Sequence, residues 1–256
     1  MDFSNKVVLI TGASGGIGAS CALRFAALNA NLSLVGRNVE NLNNVAGKCE
    51  ELKGNRPLTI KADISIDDDV QRIIVETIDR YGKLDVLVNN AGFLIMSDIT
   101  GDIKDFDKMM ATNIRGTYLL TQKAVPYLVE TKGNIVNVSS VVSMMPILRM
   151  MAYSMTKAAM DIFTKCTALE LGPKGVRVNM VNPGPVNTNL FKANSLSHEQ
   201  NELELEKIAE VIPLKRIVES NDVAKLISFL ASEDANSITG ASHVIDCGLI
   251  LGNPNA

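Results

Sequence analysis

The chain has 256 residues, 46% hydrophobic and 21% charged, with 25 Lys and Arg against 28 Asp and Glu for a net charge of -3. That length suits one large α/β domain, and the composition argues against a disordered chain. The slightly acidic balance argues against a nucleic-acid footprint or a polybasic membrane patch and leaves a small molecule as the expected partner.

The first residues, Met1 to Lys6, enter a strand pattern, Val7 to Ile10, with no charged-then-apolar leader. No uncharged run approaches the ~18 residues of a membrane span, so a cytoplasmic protein is expected. Directly after this strand come Thr11-Gly12-Ala13-Ser14-Gly15-Gly16-Ile17-Gly18 and a helical pattern from Ile17 to Ala27. A strand, a glycine turn and a helix N-terminus together present free backbone N–H groups and a positive dipole end, the setting in which open α/β sheets bind a pyrophosphate.

A second strand, Leu32 to Val35, ends in Gly36-Arg37-Asn38 and precedes a helix from Val39 to Leu52. A third, Leu58 to Lys61, leads past Asp63 to a helix from Asp67 to Tyr81. The fourth, Val86 to Val88, runs into Asn89-Asn90-Ala91-Gly92 and the apolar Phe93, Leu94, Ile95 and Met96, and a long helical pattern from Lys104 to Val129 carries Asn113. Strand Ile135 to Val138 delivers Ser139 and Ser140, helix Tyr153 to Leu171 follows, and strand Val176 to Val181 ends in Asn182-Pro183-Gly184. Residues 187–213 finish in an acidic helix, Glu199 to Glu210, whose Leu203, Leu205, Ile208 and Val211 can face a pocket; this segment is read as a mobile substrate lid. Helix Asp222 to Ala231 and strand His243 to Asp246 close the chain, and the C-terminal Asn-Pro-Asn-Ala matches no targeting signal.

Seven apolar, β-branched runs interleaved with helices predict a doubly wound α/β fold, a seven-stranded parallel sheet flanked by helices on both faces. No repeat or linker-like shift divides the chain, so residues 1–256 are read as one Rossmann-like domain. Cys21, Cys49, Cys166 and Cys247 are scattered without paired or metal-ligand spacing and read as reduced, mostly buried thiols, and two distant histidines, His198 and His243, call for no metal.

Of the four tyrosines, Tyr153 alone has a lysine four positions on, Lys157. On a helix the two share a face, and an adjacent ammonium favours the phenolate of a group whose ordinary pKa of about 10 makes it a poor acid or base near neutrality. Ser140, thirteen positions earlier, offers a hydroxyl to hold a substrate oxygen beside that phenol, and the trio suits chemistry at a carbonyl or alcohol.

The glycines at 12, 16 and 18, Asn89-Asn90-Ala91-Gly92, the Ser140/Tyr153/Lys157 trio and Asn182-Pro183-Gly184, in this order over Lys6 to Gly248, resemble the short-chain dehydrogenase/reductase family. The resemblance implies Tyr153 as acid/base and Lys157 as the group that lowers its pKa and holds the nicotinamide ribose. Ser140 would orient the substrate oxygen, and Asn113 would support a water in a proton relay. It further implies that Gly12, Ser14, Gly16, Ile17, Gly18, Pro183 and Gly184 line the cofactor, that Asp63 meets the adenine, and that Asn90, Ala91 and Gly92 pass beneath the adenosine ribose. Val186 and Thr188 would hold the carboxamide. A homotetramer or homodimer is implied, with the two long helices as interface.

No acid stands at the end of the second strand, where an NAD-selective site places one. Arg37 instead offers a multi-donor fork suited to a 2′-phosphate, beside Asn38 and the Ser14 hydroxyl, so NADP(H) is expected over NAD(H). Within residues 141–151, Val142, Met144, Met145 and Leu148 would wall the substrate, faced by Phe93, Leu94 and Met96, with Phe191 from the lid. A lipophilic ketone, aldehyde or alcohol of steroid, isoprenoid or xenobiotic type is therefore expected. The alternatives are a 3-oxoacyl thioester reductase of fatty-acid synthesis, for which Lys132, Lys174 and Arg177 are candidate carrier-protein contacts, and a non-catalytic nucleotide sensor or scaffold.

Overall fold

The computed structural model describes residues 1–186 and 198–252. Strands β1 (Val7–Thr11), β2 (Asn31–Gly36), β3 (Leu58–Lys61), β4 (Val86–Asn89), β5 (Asn134–Val138), β6 (Arg177–Pro183) and β7 (Ser242–Ile245) form one sheet in the order β3-β2-β1-β4-β5-β6-β7. Every pair is parallel, so each strand needs a crossover to return the chain to the same end. The helices are α1 (Gly16–Ala27), α2 (Val39–Lys53), α3 (Asp67–Tyr81), α4 (Ile103–Met110), α5 (Thr117–Thr131), α6 (Met151–Leu171), α7 (His198–Val211) and α8 (Ser220–Ala231).

Side chains alternate across β1 and so build both cores. Val8 and Ile10 pack with Phe25 of α1, Leu42 of α2 and Ile227 of α8 on one face, while Val7 and Leu9 meet Ile73 of α3, Leu120 of α5 and Leu171 of α6 on the other. Each such side chain, fully withdrawn from water, contributes roughly 1.5–3 kcal/mol. That two-sided burial is why the strands read as continuous apolar runs rather than alternating ones.

β1 pairs with β2 on one side and β4 on the other, so the winding reverses there and a crevice opens at the carboxyl ends of β1 and β4. The single long helix expected over Lys104 to Val129 is instead α4, a π-helical turn at Ala111–Gly116, and α5. A π turn holds one extra residue within a helix that continues on either side of it, so the segment reads in sequence as one long helix. Gly116 explains the close approach there: a Cβ on it would lie 2.3 Å from the carbonyl oxygen of Ile64.

Lys132, Lys174 and Arg177 lie at the amino ends of β5 and β6, opposite the crevice. Arg177 is engaged with the chain itself, donating to the carbonyl oxygens of Leu230 at 2.8 Å and Ser232 at 2.9 Å. Of the cysteines, Cys21 and Cys49 are buried and Cys247 half-buried; Cys166, on a face of α6 turned away from the sheet, is exposed, contrary to expectation. Among the described residues no helix is long and apolar enough to cross a membrane.

Candidate active site

The crevice is a cavity of about 630 Å³ whose floor is the glycine turn. Gly12 has a φ of +66°, and a Cβ there would lie 2.8 Å from Asn90 Nδ2; at Gly18 it would lie 2.2 Å from the carbonyl oxygen of Gly12. Gly18 is thus a packing requirement behind the turn, whereas Gly12, Ser14, Gly16 and Ile17 line the cavity. α1 has no side-chain cap and no acid in its first turn, so its amide donors and dipole remain available to an anion at the cavity wall. This donor set fits the pyrophosphate of a dinucleotide.

Thr11 ties β1 to β4. Its Oγ1 accepts the N–H groups of Asn90 and Ala91, both at 3.0 Å, while Asn90 Nδ2 donates to the carbonyl oxygen of Thr11 at 2.8 Å. These bonds fix Asn90, Ala91 and Gly92 along the cavity, and Thr11 is a residue the sequence reading passes over.

At the other end of the groove Arg37 lies 3.4 Å from Asp63, with 68% of its side chain exposed. Burial raises the Asp63 carboxyl, but hydrogen bonds from the Ser65 N–H and hydroxyl, together with Arg37, outweigh it and hold the group below its ordinary value. An exposed pair of this kind contributes little, so the guanidinium is readily shared with another anion. Asn38 Oδ1 accepts the Asn41 N–H at 2.9 Å and caps α2, which leaves Arg37 as the charged donor at the end of β2. Ser14 sits beneath Gly36, where a Cβ would come within 3.2 Å of its Oγ.

α6 carries Tyr153 and Lys157, 7% and 5% exposed. Lys157 Nζ lies 5.5 Å from the Tyr153 ring centroid and donates to the carbonyl oxygen of Val138 at 2.8 Å. Burial pushes the Tyr153 phenol well above its ordinary value, with a hydrogen bond from Ser140 opposing it. The lowering expected from Lys157 is not found: desolvation of the phenolate dominates, and the Ser140 hydroxyl is what opposes it. Burial also pulls Lys157 down to about 8, with Asp161 opposing.

Ser140, at the end of β5, lines the cavity beside Tyr153. Asn113 stands behind it in the π turn: its Oδ1 accepts the Phe93 N–H at 3.0 Å, and its Nδ2 donates to Phe93 O at 3.0 Å and Thr156 Oγ1 at 3.2 Å. It positions one wall of the cavity and the helix of Tyr153.

On the substrate side, Phe93, Leu94 and Val142 line the cavity as expected. Met144 and Leu148 do not; they are 47% and 89% exposed. Met145 and Met96 also lie off the lining. The cause is local: Arg149 has a φ of +63°, and the reversal turns Met150 inward against Leu94, Met109 and Tyr153 while Leu148 points out. Ile147 and Met150 take the expected places, joined by Ile208 of α7 and Leu249.

Leu249 is held by Asp246, whose carboxylate accepts the N–H groups of Gly248 and Ile250, both at 2.8 Å. An Asp followed two residues on by Gly is a turn signal that could have pointed to it. Pro183, Gly184 and Val186 line the cavity; Thr188, Phe191 and residues 187–197 of the expected lid lie outside the described residues. In α7, Ile208 faces the cavity and Leu205 is buried, while Leu203 and Val211 are exposed.

A parallel sheet wound outward from β1, with a glycine turn at its switch point, is the architecture of dinucleotide-binding enzymes, and a phenol, a hydroxyl and an ammonium lining the same cavity suit proton transfer to a substrate oxygen. A family profile described as Enoyl-(Acyl carrier protein) reductase matches residues 12–250. The chain is 39% identical to glucose 1-dehydrogenase of Gluconobacter oxydans (strain 621H) over 97% of this chain and 93% of that one. It is 34% identical to 3-oxoacyl-[acyl-carrier-protein] reductase FabG of Thermotoga maritima over 98% and 100%. A short-chain dehydrogenase/reductase of unknown function from Caenorhabditis elegans, solved with cofactor, superposes with a TM-score of 0.94 at 34% identity, covering 99% and 98% of the two chains. The protein belongs to the short-chain dehydrogenase/reductase family and is a nicotinamide-dependent oxidoreductase acting on CH–OH or C=O groups.

Proposed function

We propose that the protein is an NADPH-dependent carbonyl reductase acting on a lipophilic ketone or aldehyde. The observation that carries this is the character of the wall facing Tyr153: Phe93, Val142, Ile147, Met150, Ile208 and Leu249 are all apolar. Among the described residues, the charged ones lining the cavity apart from Lys157 are Arg37 and Asp63, at the end where β2 and β3 finish. A polyol would meet few hydrogen-bond partners on that wall, whereas an apolar carbonyl loses nothing by entering it.

Gly12, Gly16 and Ile17 would hold the pyrophosphate of the dinucleotide and Lys157 its nicotinamide ribose, and the nicotinamide would supply the hydride that reduces the carbonyl carbon. Ser140 donates to the carbonyl oxygen and holds it at the phenol. Tyr153, which burial keeps protonated at neutral pH, gives its proton to that oxygen as negative charge develops. The Lys157 ammonium stabilises the phenolate that remains. Asn113 keeps Phe93 and α6 in register throughout.

The preference for NADPH rests on Arg37 at the end of a strand that offers no carboxylate to a ribose, with Ser14 alongside. Self-association as a homodimer or homotetramer is supported by the exposed apolar residues Met155, Ile162 and Leu169 of α6 and Tyr118 of α5. A reducing, cytoplasmic setting fits four free thiols.

A 3-oxoacyl thioester reductase is the alternative, favoured by the similarity to the Thermotoga protein. It is disfavoured by Lys132, Lys174 and Arg177 lying at the end of the sheet away from the cavity. A sensor or scaffold has no use for Ser140 and Tyr153 turned into the same cavity. Tyr153→Phe removes the acid and keeps the ring, so turnover should fall roughly 10²- to 10⁴-fold with NADPH affinity unchanged. Activity near the wild-type level in that variant would contradict the assignment.

A further inference from the structure

Asp161 lies on α6 one turn beyond Lys157 and has no part in the steps above. Its carboxylate accepts the Ser139 hydroxyl at Oδ1 and the Ser143 hydroxyl at Oδ2, both at 2.9 Å, so it grips the chain on either side of Ser140. The Ser139 hydroxyl also lies 3.2 Å from the carbonyl oxygen of Lys157. Asn182 Nδ2 completes the arrangement from β6, reaching the Ser140 carbonyl oxygen at 3.2 Å and Ser143 Oγ at 3.1 Å, with Asp161 Oδ1 at 3.5 Å. Asn182 is itself fixed by the Ser242 hydroxyl of β7 at 2.7 Å.

A half-buried carboxylate is costly, and neutral groups could hold a turn equally well. Its charge therefore calls for a reason, and Lys157 supplies one. The lysine is buried, and Asp161 opposes the downward pull of burial on it. Among the described residues, the other groups that face it are neutral. Val138 and Ser139 come from β5 and its end, Asn113 and Gly92 flank it from the π turn and the loop after β4, and Tyr153 of its own helix holds its proton.

We propose that Asp161 is a positioning residue that sets Ser140 through Ser139 and Ser143 and sustains the ammonium of Lys157. Its consequence for turnover rests on Tyr153 and Lys157 acting as the proton pair; the titration that tests it does not. The test is an NMR titration of the lysine ε-methylene signals in the whole protein, with Lys157→Met identifying the resonance. The Lys157 midpoint should lie near pH 8, as burial dictates. In Asp161→Asn it should fall by about half a unit or more, since a neighbouring opposite charge has been removed. Asp161→Glu and the pair Ser139→Ala/Ser143→Ala, which keep the charge, should titrate as the wild type.

The paired serine variant should instead slow turnover of an aromatic diketone roughly tenfold by misplacing Ser140, with the KM for NADPH unchanged. A midpoint that does not move in folded Asp161→Asn overturns the proposal. So does a wild-type kcat in the serine pair, which serves should Asp161→Asn not fold. Failure of the proton pair is separately visible as activity retained by Tyr153→Phe.

Discussion

Along the glycine turn, backbone meets backbone and the contacts are polar: Thr11 holds Asn90 and Ala91, Asn90 reaches back to Thr11, and Gly12 and Gly18 approach neighbours that leave no room for a Cβ. Around Tyr153, by contrast, Leu94, Met109, Val142 and Met150 form a small core of their own, joined at its edge by Phe93 and Ile147. The first half is specified atom by atom, by hydrogen bonds and by the absence of room for a Cβ. The second is specified by volume and apolar character, so it can be remodelled by exchanging side chains without disturbing the fold. A family can thus keep one cofactor end while its substrates change.

The largest effect on the polar half is expected from Gly18→Ala. A methyl group 2.2 Å from the Gly12 carbonyl oxygen forces the turn open, which should cost roughly 1–3 kcal/mol of stability and abolish measurable NADPH binding. Thermal melting with and without NADPH reads both, and a variant stabilised by NADPH like the wild type would show that the turn is not held as described. Arg37→Asp should have a smaller and more selective effect. It replaces a phosphate donor with a ribose acceptor and should shift the ratio of kcat/KM from NADPH towards NADH by roughly ten- to a hundredfold. An unchanged ratio would mean that Arg37 serves only Asp63.

The same contrast explains what the sequence made legible. All seven strands and the glycine turn were readable because two-sided burial and close backbone approach leave few residue types admissible. The π turn at Ala111–Gly116 was hidden, because the helix continues on either side of it and no break marks the extra residue. The direction of the Tyr153 shift was hidden too: spacing shows that Lys157 is near, but not that the phenol is buried. In the apolar wall, Val142 and Leu94 were found and Met144 and Leu148 were misplaced, because the left-handed backbone at Arg149 reverses the chain with no glycine or asparagine to announce it. Leu249 was missed because the Asp246 turn that holds it announces a bend but not the cavity that the bend faces.

The proposed function turns on whether that wall selects apolar carbonyls. The measurement is kcat/KM for NADPH-linked reduction of a steroid ketone, an aromatic diketone, an acetoacetyl thioester and a keto sugar, in the wild type and in Leu249→Ala. Lipophilic ketones should be turned over in preference to the sugar, with a loss of roughly tenfold in Leu249→Ala as one wall contact disappears. Turnover confined to the sugar or the thioester, or a Leu249→Ala variant indistinguishable from the wild type on every lipophilic ketone, would contradict it.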